Sequence, residues 1–337
     1  MDIKRILYYI RRHFYRAIDH IAFNKVFDLS NTVAVFGPQR SGTTWFIEVL
    51  NMIPEFLSIF EPLNVLYFKE ISPRYEGRPY INPDTEDNEY KALISRIFVG
   101  KSKVYDPIIR MNLYDIFKRL KANRLLLKFV RGNRLLPWMS KNFTFSTNYF
   151  IIRHPCSVIS SQIQLGKYGY GFGADVPKEE ILKEVAKMDF LENELVEKIQ
   201  TVSCLEEILA VMYGLDYIVP LKLASEIITP VHYEALVLDP ETHFSEIFHN
   251  LGADKYLKAG IARAKTPSQT TNKTEKNSLT DAEYQIRKWK DRLTTEQIQD
   301  IARVLEWFDI KFSVDGYRIM DYEINYRING NIIFENE

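Results

Sequence analysis

The sequence predicts an α/β chain in which a parallel β-sheet, opened by a phosphate-loop-like turn, is flanked by helices on both faces. Three observations carry this. Short apolar runs of strand length alternate along the chain with helical patterns, which gives a parallel sheet covered on both sides. A glycine-framed loop, Gly37 to Gly42, stands between the first such run and the first helix. Hydrophobic residues make up 46% of 337 residues, enough for a large core and too many for a disordered chain. No linker interrupts residues 30–312, which read as a single domain; residues 1–29 precede it and residues 313–337 extend beyond it.

The first element is an amphipathic helix within 1–29. Ile3, Ile6, Leu7, Ile10, Phe14, Ile18 and Ile21 recur at three- and four-residue spacing, and Lys4, Arg5, Arg11, Arg12 and Arg16 supply the charge around them. Such a stripe either packs on the domain or docks on a membrane surface or a partner. The segment lacks the cleavage site and clean apolar core of a signal peptide. No apolar run reaches the roughly 18 residues of a membrane span.

"TVAVF" (32–36) is the first buried strand, and the helix after the loop runs from Thr43 to about Met52. "RLLLKF" (124–129), "NYFIIR" (148–153) and "PVHYEAL" (230–236) are further strands, each closed by polar or proline-containing turns. After the last comes a marked helix, with Asp239 as N-cap, Pro240 in the first turn and Gly252 just past the end. Another spans about Thr295 to Trp307, with Thr294 and Gln297 as a capping box and Ile298, Ile301, Leu305 and Phe308 as its stripe. Residues 72–90 and 165–177 are rich in proline, glycine and tyrosine and read as loops facing a ligand.

Composition narrows the function. Lys+Arg and Asp+Glu are both 44, so any basic patch is local and a nucleic-acid binder is not expected. Two cysteines, Cys156 and Cys204, give neither a disulfide framework nor zinc spacing, and suggest a reducing, cytoplasmic setting.

The loop "GPQRSGTT" has the anion-cradling frame of a nucleotide phosphate loop, but Thr43 and Thr44 stand where Lys and Ser/Thr belong. Without that lysine a triphosphate loses its main charge clamp, and the positive charge has moved inside the loop to Arg40. "GPQRSGTTWF" resembles the 5′-phosphosulfate-binding loop of sulfotransferases, which use 3′-phosphoadenosine 5′-phosphosulfate (PAPS) as donor. The resemblance implies that Arg40, Ser41, Gly42, Thr43 and Thr44 hold the phosphosulfate, that Trp45 stacks on the adenine, and that no metal is needed. "YFIIRHPCSVISSQIQ" (149–164) is similar to the family's 3′-phosphate segment, which assigns Arg153 and Ser161 to that phosphate. His154 is then structural or a phosphate neighbour.

"PVHYEALVLDPETHFSEIFHNLGA" (230–253) resembles a later family segment that places Tyr233 near the adenine. "LLLKFVRGNRLLPWMSKNF" (125–143) and residues 264–298 are similar to further family stretches. The family's glycine-rich Arg-Lys-Gly lid is absent, leaving Arg263, Lys265 and Lys273 as candidates to close on the 3′-phosphate. The resemblance covers about residues 30–312, in its carbohydrate-type and bacterial branch.

Sulfuryl transfer needs a cation at the leaving oxygen and a base for the acceptor hydroxyl. Arg40 suits the first role, with Lys128 either its partner or an ordinary core lysine. The histidine of small-molecule members is missing from Lys128-Phe129-Val130-Arg131, whereas the Glu61-Pro62 pair matches carbohydrate-type members. A glutamate left unpaired in a partly dry cleft is pushed by desolvation toward the range of a general base, which makes Glu61 the candidate. The expected reaction moves a sulfuryl group from PAPS to a hydroxyl of a glycan or glycolipid and leaves adenosine 3′,5′-bisphosphate. A nucleotide-dependent kinase or hydrolase, or a nucleotide-binding scaffold docked through the N-terminal helix, are the alternatives.

Overall fold

The computed structural model describes residues 26–64, 78–100, 120–166, 178–268, 282–312, 327–328 and 331–332. The amphipathic stripe within 1–29 and Lys273 lie outside these residues, as do residues 72–77 and 167–177 of the two expected loops. The first half of the chain runs β1 (Val33–Phe36), α1 (Thr43–Leu50), β2 (Phe56–Phe60), α2 (Asn88–Phe98), β3 (Arg124–Phe129) and α3 (Leu136–Asn142). There follow β4 (Thr147–Ile152), α4 (Pro155–Gly166), α5 (Lys178–Val185), α6 (Asn193–Thr201) and α7 (Leu205–Leu223). The last part holds β5 (Thr229–His232), α8 (Tyr233–Leu238), α9 (Pro240–Asn250), α10 (Leu257–Ala264), α11 (Ala282–Arg287) and α12 (Thr295–Glu306). A two-residue antiparallel pair, β6 (Arg327–Ile328) and β7 (Asn331–Ile332), stands apart from the main sheet. No helix among the described residues is long and apolar enough to cross a membrane.

The five main strands form one parallel sheet in the order β2-β3-β1-β4-β5, as the alternation of apolar runs predicts. Strand side chains alternate between faces, so each strand feeds two cores. Ala34 and Phe36 of β1, Leu125, Leu127 and Phe129 of β3, and Phe150 and Ile152 of β4 point into the larger core, beneath α2, α3, α4, α7 and α12. Val33, Val35, Leu126, Tyr149 and Ile151 point the other way, under α1 and α9. Phe36 and Phe129 are register partners, and their rings stack at 4.6 Å. Because β1, β3 and β4 are buried on both faces they read as continuous apolar runs, which makes them legible.

The order has a functional consequence. The chain leaves β1 toward β2 and later crosses back to β4 on the other side. A parallel sheet that reverses direction in this way opens a crevice at the carboxyl ends of the two strands flanking the reversal, here β1 and β4.

Helix ends follow their sequence signals. Asp239 accepts the Thr242 N–H at 3.1 Å, and Gly252 takes φ 67 just past α9. Thr294 and Gln297 close the capping box of α12. Two expectations need correction. The strand expected over 230–236 stops at His232, and Tyr233 begins α8. Pro230 cannot donate to a ladder, so β5 stays a short edge strand. Residues 88–90, expected as loop, open α2, because Asp87 caps it by accepting the Tyr90 N–H at 2.9 Å. The edge strand β2 carried no expectation: Ser58 interrupts its apolar residues and it is only partly buried.

The larger core is closed by α7 against α12. Gly214 in mid-α7 faces Phe308, and a Cβ there would lie 2.5 Å from the ring's Cδ2 and 2.7 Å from its Cγ. Helix propensity favours alanine over glycine by about 1 kcal/mol, but overpacking a buried ring costs about 1–3 kcal/mol. Gly214→Ala is therefore expected to lower the unfolding free energy by up to about 2 kcal/mol in denaturant titration. A stabilised variant would show that α7 and α12 are not packed in this way.

Candidate functional site

All five strands deliver a residue singled out in the sequence to the same edge of the sheet. The loop 37–42 follows β1, Glu61 follows β2, Lys128 closes β3, Arg153 follows β4 and Tyr233 follows β5. Neighbouring strands are about 4.8 Å apart, so the sheet order sets the sequence of these groups across the crevice. Glu61 and Lys128 lie on one side of the loop; Arg153, Ser161 and Tyr233 lie on the other.

The loop is fastened from both flanks. On the β3 side, the Gly37 N–H donates to Asn133 Oδ1 at 2.9 Å. On the β4 side, Arg153 Nη1 donates to the Arg40 carbonyl at 2.8 Å, Gln162 Nε2 to the Gln39 carbonyl at 2.9 Å, and Arg40 Nε to Ser161 Oγ at 2.9 Å. Arg153 and Ser161, paired in the sequence by spacing alone, thus both reach the loop. Gly42 adopts φ 102 and precedes α1 without any side-chain cap. A Cβ on Gly42 would sit 2.4 Å from Tyr233 Cδ2, so the tyrosine ring lies directly across the loop. The Arg153 guanidinium stacks on the ring at 4.2 Å.

The cradle has unspent donors. An uncapped helix start leaves its first N–H groups without intrahelical partners, a ready anion site. Ser41 Oγ and Arg153 Nε are buried, and neither has a hydrogen-bond partner. Buried donors are nearly always satisfied, so two of them beside an uncapped helix have the chemistry to take an anion. Thr43 is buried and Thr44 half-buried in the first turn.

Trp45 is buried, with its Nε1 donating to the Ala264 carbonyl at 3.1 Å. Its ring meets Tyr233 edge-on at 5.5 Å, so it backs the tyrosine from the core side. His154 is buried and stacked on Trp289 at 4.6 Å, a core position. Arg263 pairs with Glu48, and Lys265 pairs with Glu241 at 3.2 Å. Of the three candidates for closing on a 3′-phosphate, the two described thus each have a carboxylate partner.

The expectation of an unpaired Glu61 is corrected. Its Oε1 accepts from Lys128 Nζ at 2.7 Å, its Oε2 accepts the Val130 N–H at 3.3 Å, and Arg131 Nη1 lies 3.7 Å from Oε2. The adjacent strands β2 and β3 place Phe60 beside Lys128, which brings the next residue within the lysine's reach. Among the described residues only Arg40, Glu61 and Asp309 are non-glycine residues at positive φ, at 74°, 50° and 57°. That backbone state costs about 1–3 kcal/mol and gathers at functional sites. Two of the three are site candidates.

Several site residues had no recognisable signal. Asn133 and Gln162 are common types in polar turns or helices, and their role is visible only once the strands are adjacent. Tyr213 donates to the Arg153 carbonyl at 2.6 Å, and Tyr217 accepts the Arg153 N–H at 3.1 Å, both from the inner face of α7. Glu234 lies fully inside: Oε1 accepts the His154 N–H at 2.9 Å, while Oε2 has no partner. Burial pushes its carboxyl up to about 7, against a smaller downward pull from Arg153.

A carboxyl raised in this way binds its proton more tightly in the folded chain. Its contribution to stability is complete below the unfolded value of 4.5 and is lost as pH rises through about 7. Glu234→Gln removes the titration. The stability of the variant relative to the wild type should therefore increase by up to about 3 kcal/mol between these limits, read from melting at a series of pH values. A difference independent of pH would show that Glu234 is ionised inside the fold.

No protein-family model matches the chain, and no curated protein matches it. Solved structures similar to it include the sulfotransferase domain of the Synechococcus PCC 7002 olefin synthase, at 18% identity and a TM-score of 0.43, over 84% of this chain and 96% of that one. The sulfotransferase domain from the curacin biosynthetic pathway is similar at 17% identity and a TM-score of 0.40, over 81% and 96%. The sulfotransferase STF9 from Mycobacterium avium is similar at 13% identity and a TM-score of 0.40, over 88% and 80%.

Proposed function

We propose that the chain transfers a sulfuryl group from PAPS to a hydroxyl acceptor. The observation that carries this is the pair of unspent buried donors, Ser41 Oγ and Arg153 Nε, around an uncapped, lysine-free phosphate loop. A donor with a phosphosulfate at one end and a phosphate at the other suits such a frame. The loop takes the first group, and Arg153 with Ser161 takes the second, held beside the loop by their own bonds to it. Tyr233, stacked on Arg153 and crossing Gly42, offers an aromatic edge for the purine between them. A kinase or hydrolase reading fits less well, because the strand ends beside the loop carry Lys128 and Arg153 in place of a magnesium-binding acid.

The chemistry follows from position. The acceptor oxygen attacks sulfur in line, the bond from sulfur to the bridging phosphate oxygen breaks, and adenosine 3′,5′-bisphosphate leaves with the electron pair. Arg40 and Lys128 set positive charge beside that leaving oxygen. The acceptor proton passes to Glu61, whose lone pairs are partly used by Lys128 and Val130 and leave room for one O–H donor. The Lys128 bond orients the carboxylate in the left-handed backbone turn after β2. Glu61-Pro62, in place of the small-molecule histidine, favours a glycan or glycolipid acceptor.

Incubation with radiolabelled PAPS and a panel of oligosaccharides, glycolipids and phenols tests the reading. Label is expected in an oligosaccharide or glycolipid. Glu61→Gln should lower that turnover by about 10²–10⁴ while donor affinity stays nearly constant. Absence of transfer to every class, with PAPS bound, would leave a nucleotide-binding protein and overturn the enzyme reading. Loss of donor affinity in Glu61→Gln would make the glutamate a positioning residue for the donor site.

A further inference from the structure

The β2–β3 side of the crevice holds more positive charge than sulfuryl transfer requires. Asp216, buried in mid-α7, takes two guanidiniums: Arg134 Nε at 2.8 Å and Arg78 Nη1 at 2.7 Å. Glu61 takes Lys128 at 2.7 Å and has Arg131 at 3.7 Å. These form one electrostatic unit, since Arg78 interacts with Arg131 and Glu61 as well as with Asp216 and Arg134. Four cations, Arg78, Lys128, Arg131 and Arg134, face two carboxylates, Glu61 and Asp216, an excess of two positive charges among these residues. The chain as a whole is neutral, so the excess is a local concentration. Burial draws Arg78 below its ordinary value, opposed by Asp216, and the neighbouring Arg134 and Arg131 draw it further down.

Uncompensated charge held away from water is costly and calls for a counter-ion. Three of the four cations are nearly enclosed, with side chains 14%, 8% and 3% exposed for Arg78, Lys128 and Arg134. Arg131, two residues past the end of β3, is 28% exposed, the most open of the four. Its separation from Glu61 is longer than a hydrogen bond, so the guanidinium fork keeps donors for a planar partner. The donor's phosphates belong to the β1 loop and the β4 side, whereas Arg131 adjoins the carboxylate that receives the acceptor's proton. An anion on Arg131 therefore belongs to the acceptor.

Building on the transferase reading, we infer that the acceptor is an anionic hydroxyl compound, with a carboxylate close to the hydroxyl that is sulfated, and that Arg131 is the residue that reads this carboxylate. Among glycans this selects acidic sugars over neutral ones. Lysine would satisfy the charge but not the two parallel bonds of a fork on a carboxylate.

The test compares glucuronate with glucuronamide, which differ at the carboxylate alone, by calorimetry on the full chain with adenosine 3′,5′-bisphosphate present. Wild type is expected to bind glucuronate at least about tenfold more tightly than the amide. Arg131→Gln should bind the two alike, and Arg131→Lys should keep part of the preference. Equal or absent binding of the two by wild type, or a preference unchanged in Arg131→Gln, would overturn the assignment. Binding of the bisphosphate alone is read first. Its failure would defeat the donor reading, while the glucuronate comparison would still decide the charge of the acceptor.

Discussion

The loop from Gly37 to Gly42 is held in place by side chains from the strands on both sides of it, and the rest of the site depends on that double fastening. Asn133 grips the loop's first N–H from the β3 side, while Arg153 and Gln162 grip two of its carbonyls from the β4 side. A loop anchored at one flank only would trade the backbone shape of Arg40, at φ 74, for a relaxed one. The strain is sustained because neighbouring strands of one parallel sheet overdetermine it. Function at this site is therefore a property of strand order: the reversal beside β1 brings residues from distant parts of the sequence to one edge.

Arg153 does more than one task in this arrangement. Its backbone is clamped by Tyr213 and Tyr217, its Nη1 fastens the loop, its guanidinium covers Tyr233, and its Nε is left over. Beneath it, burial outweighs the attraction of the nearby guanidinium and lifts the Glu234 carboxyl up to about 7. Below that pH the carboxyl is mostly neutral and leaves the positive charge of Arg153 uncancelled. On the other flank, Glu61 pairs with Lys128, and Arg131 is a second, half-buried cation beside the same carboxylate. The two flanks differ in character: a tyrosine-backed arginine on one side and a carboxylate set between a lysine and a guanidinium on the other.

The parts legible in the sequence are those in which local pattern and tertiary role coincide. β1, β3 and β4 are buried on both faces, so their apolar runs are unbroken. The loop's glycines and the caps at Asp239 and Thr294 act within a few residues of themselves. What was not legible depends on adjacency across the sheet. β2 lies at the edge with a mixed pattern. The partnership of Glu61 with Lys128 spans 67 positions and appears only when β2 and β3 pair. Asn133, Gln162, Tyr213 and Tyr217 act through single hydrogen bonds that leave no periodic mark. Tyr233 falls within the expected strand over 230–236, yet it opens a helix, and its ring crosses Gly42.

The central claim is that this lysine-free loop, completed by Arg153, binds a nucleotide with a 3′-phosphate in preference to a nucleoside triphosphate. Calorimetric titration of adenosine 3′,5′-bisphosphate, with and without a metal chelator, against ATP with magnesium measures this directly. The account predicts that the bisphosphate binds at least about tenfold more tightly than ATP, unaffected by chelator, and that Arg153→Ala removes that preference by costing on the order of 1.5–3 kcal/mol. Tighter binding of ATP with magnesium, or an Arg153→Ala variant that weakens both ligands equally, would contradict it.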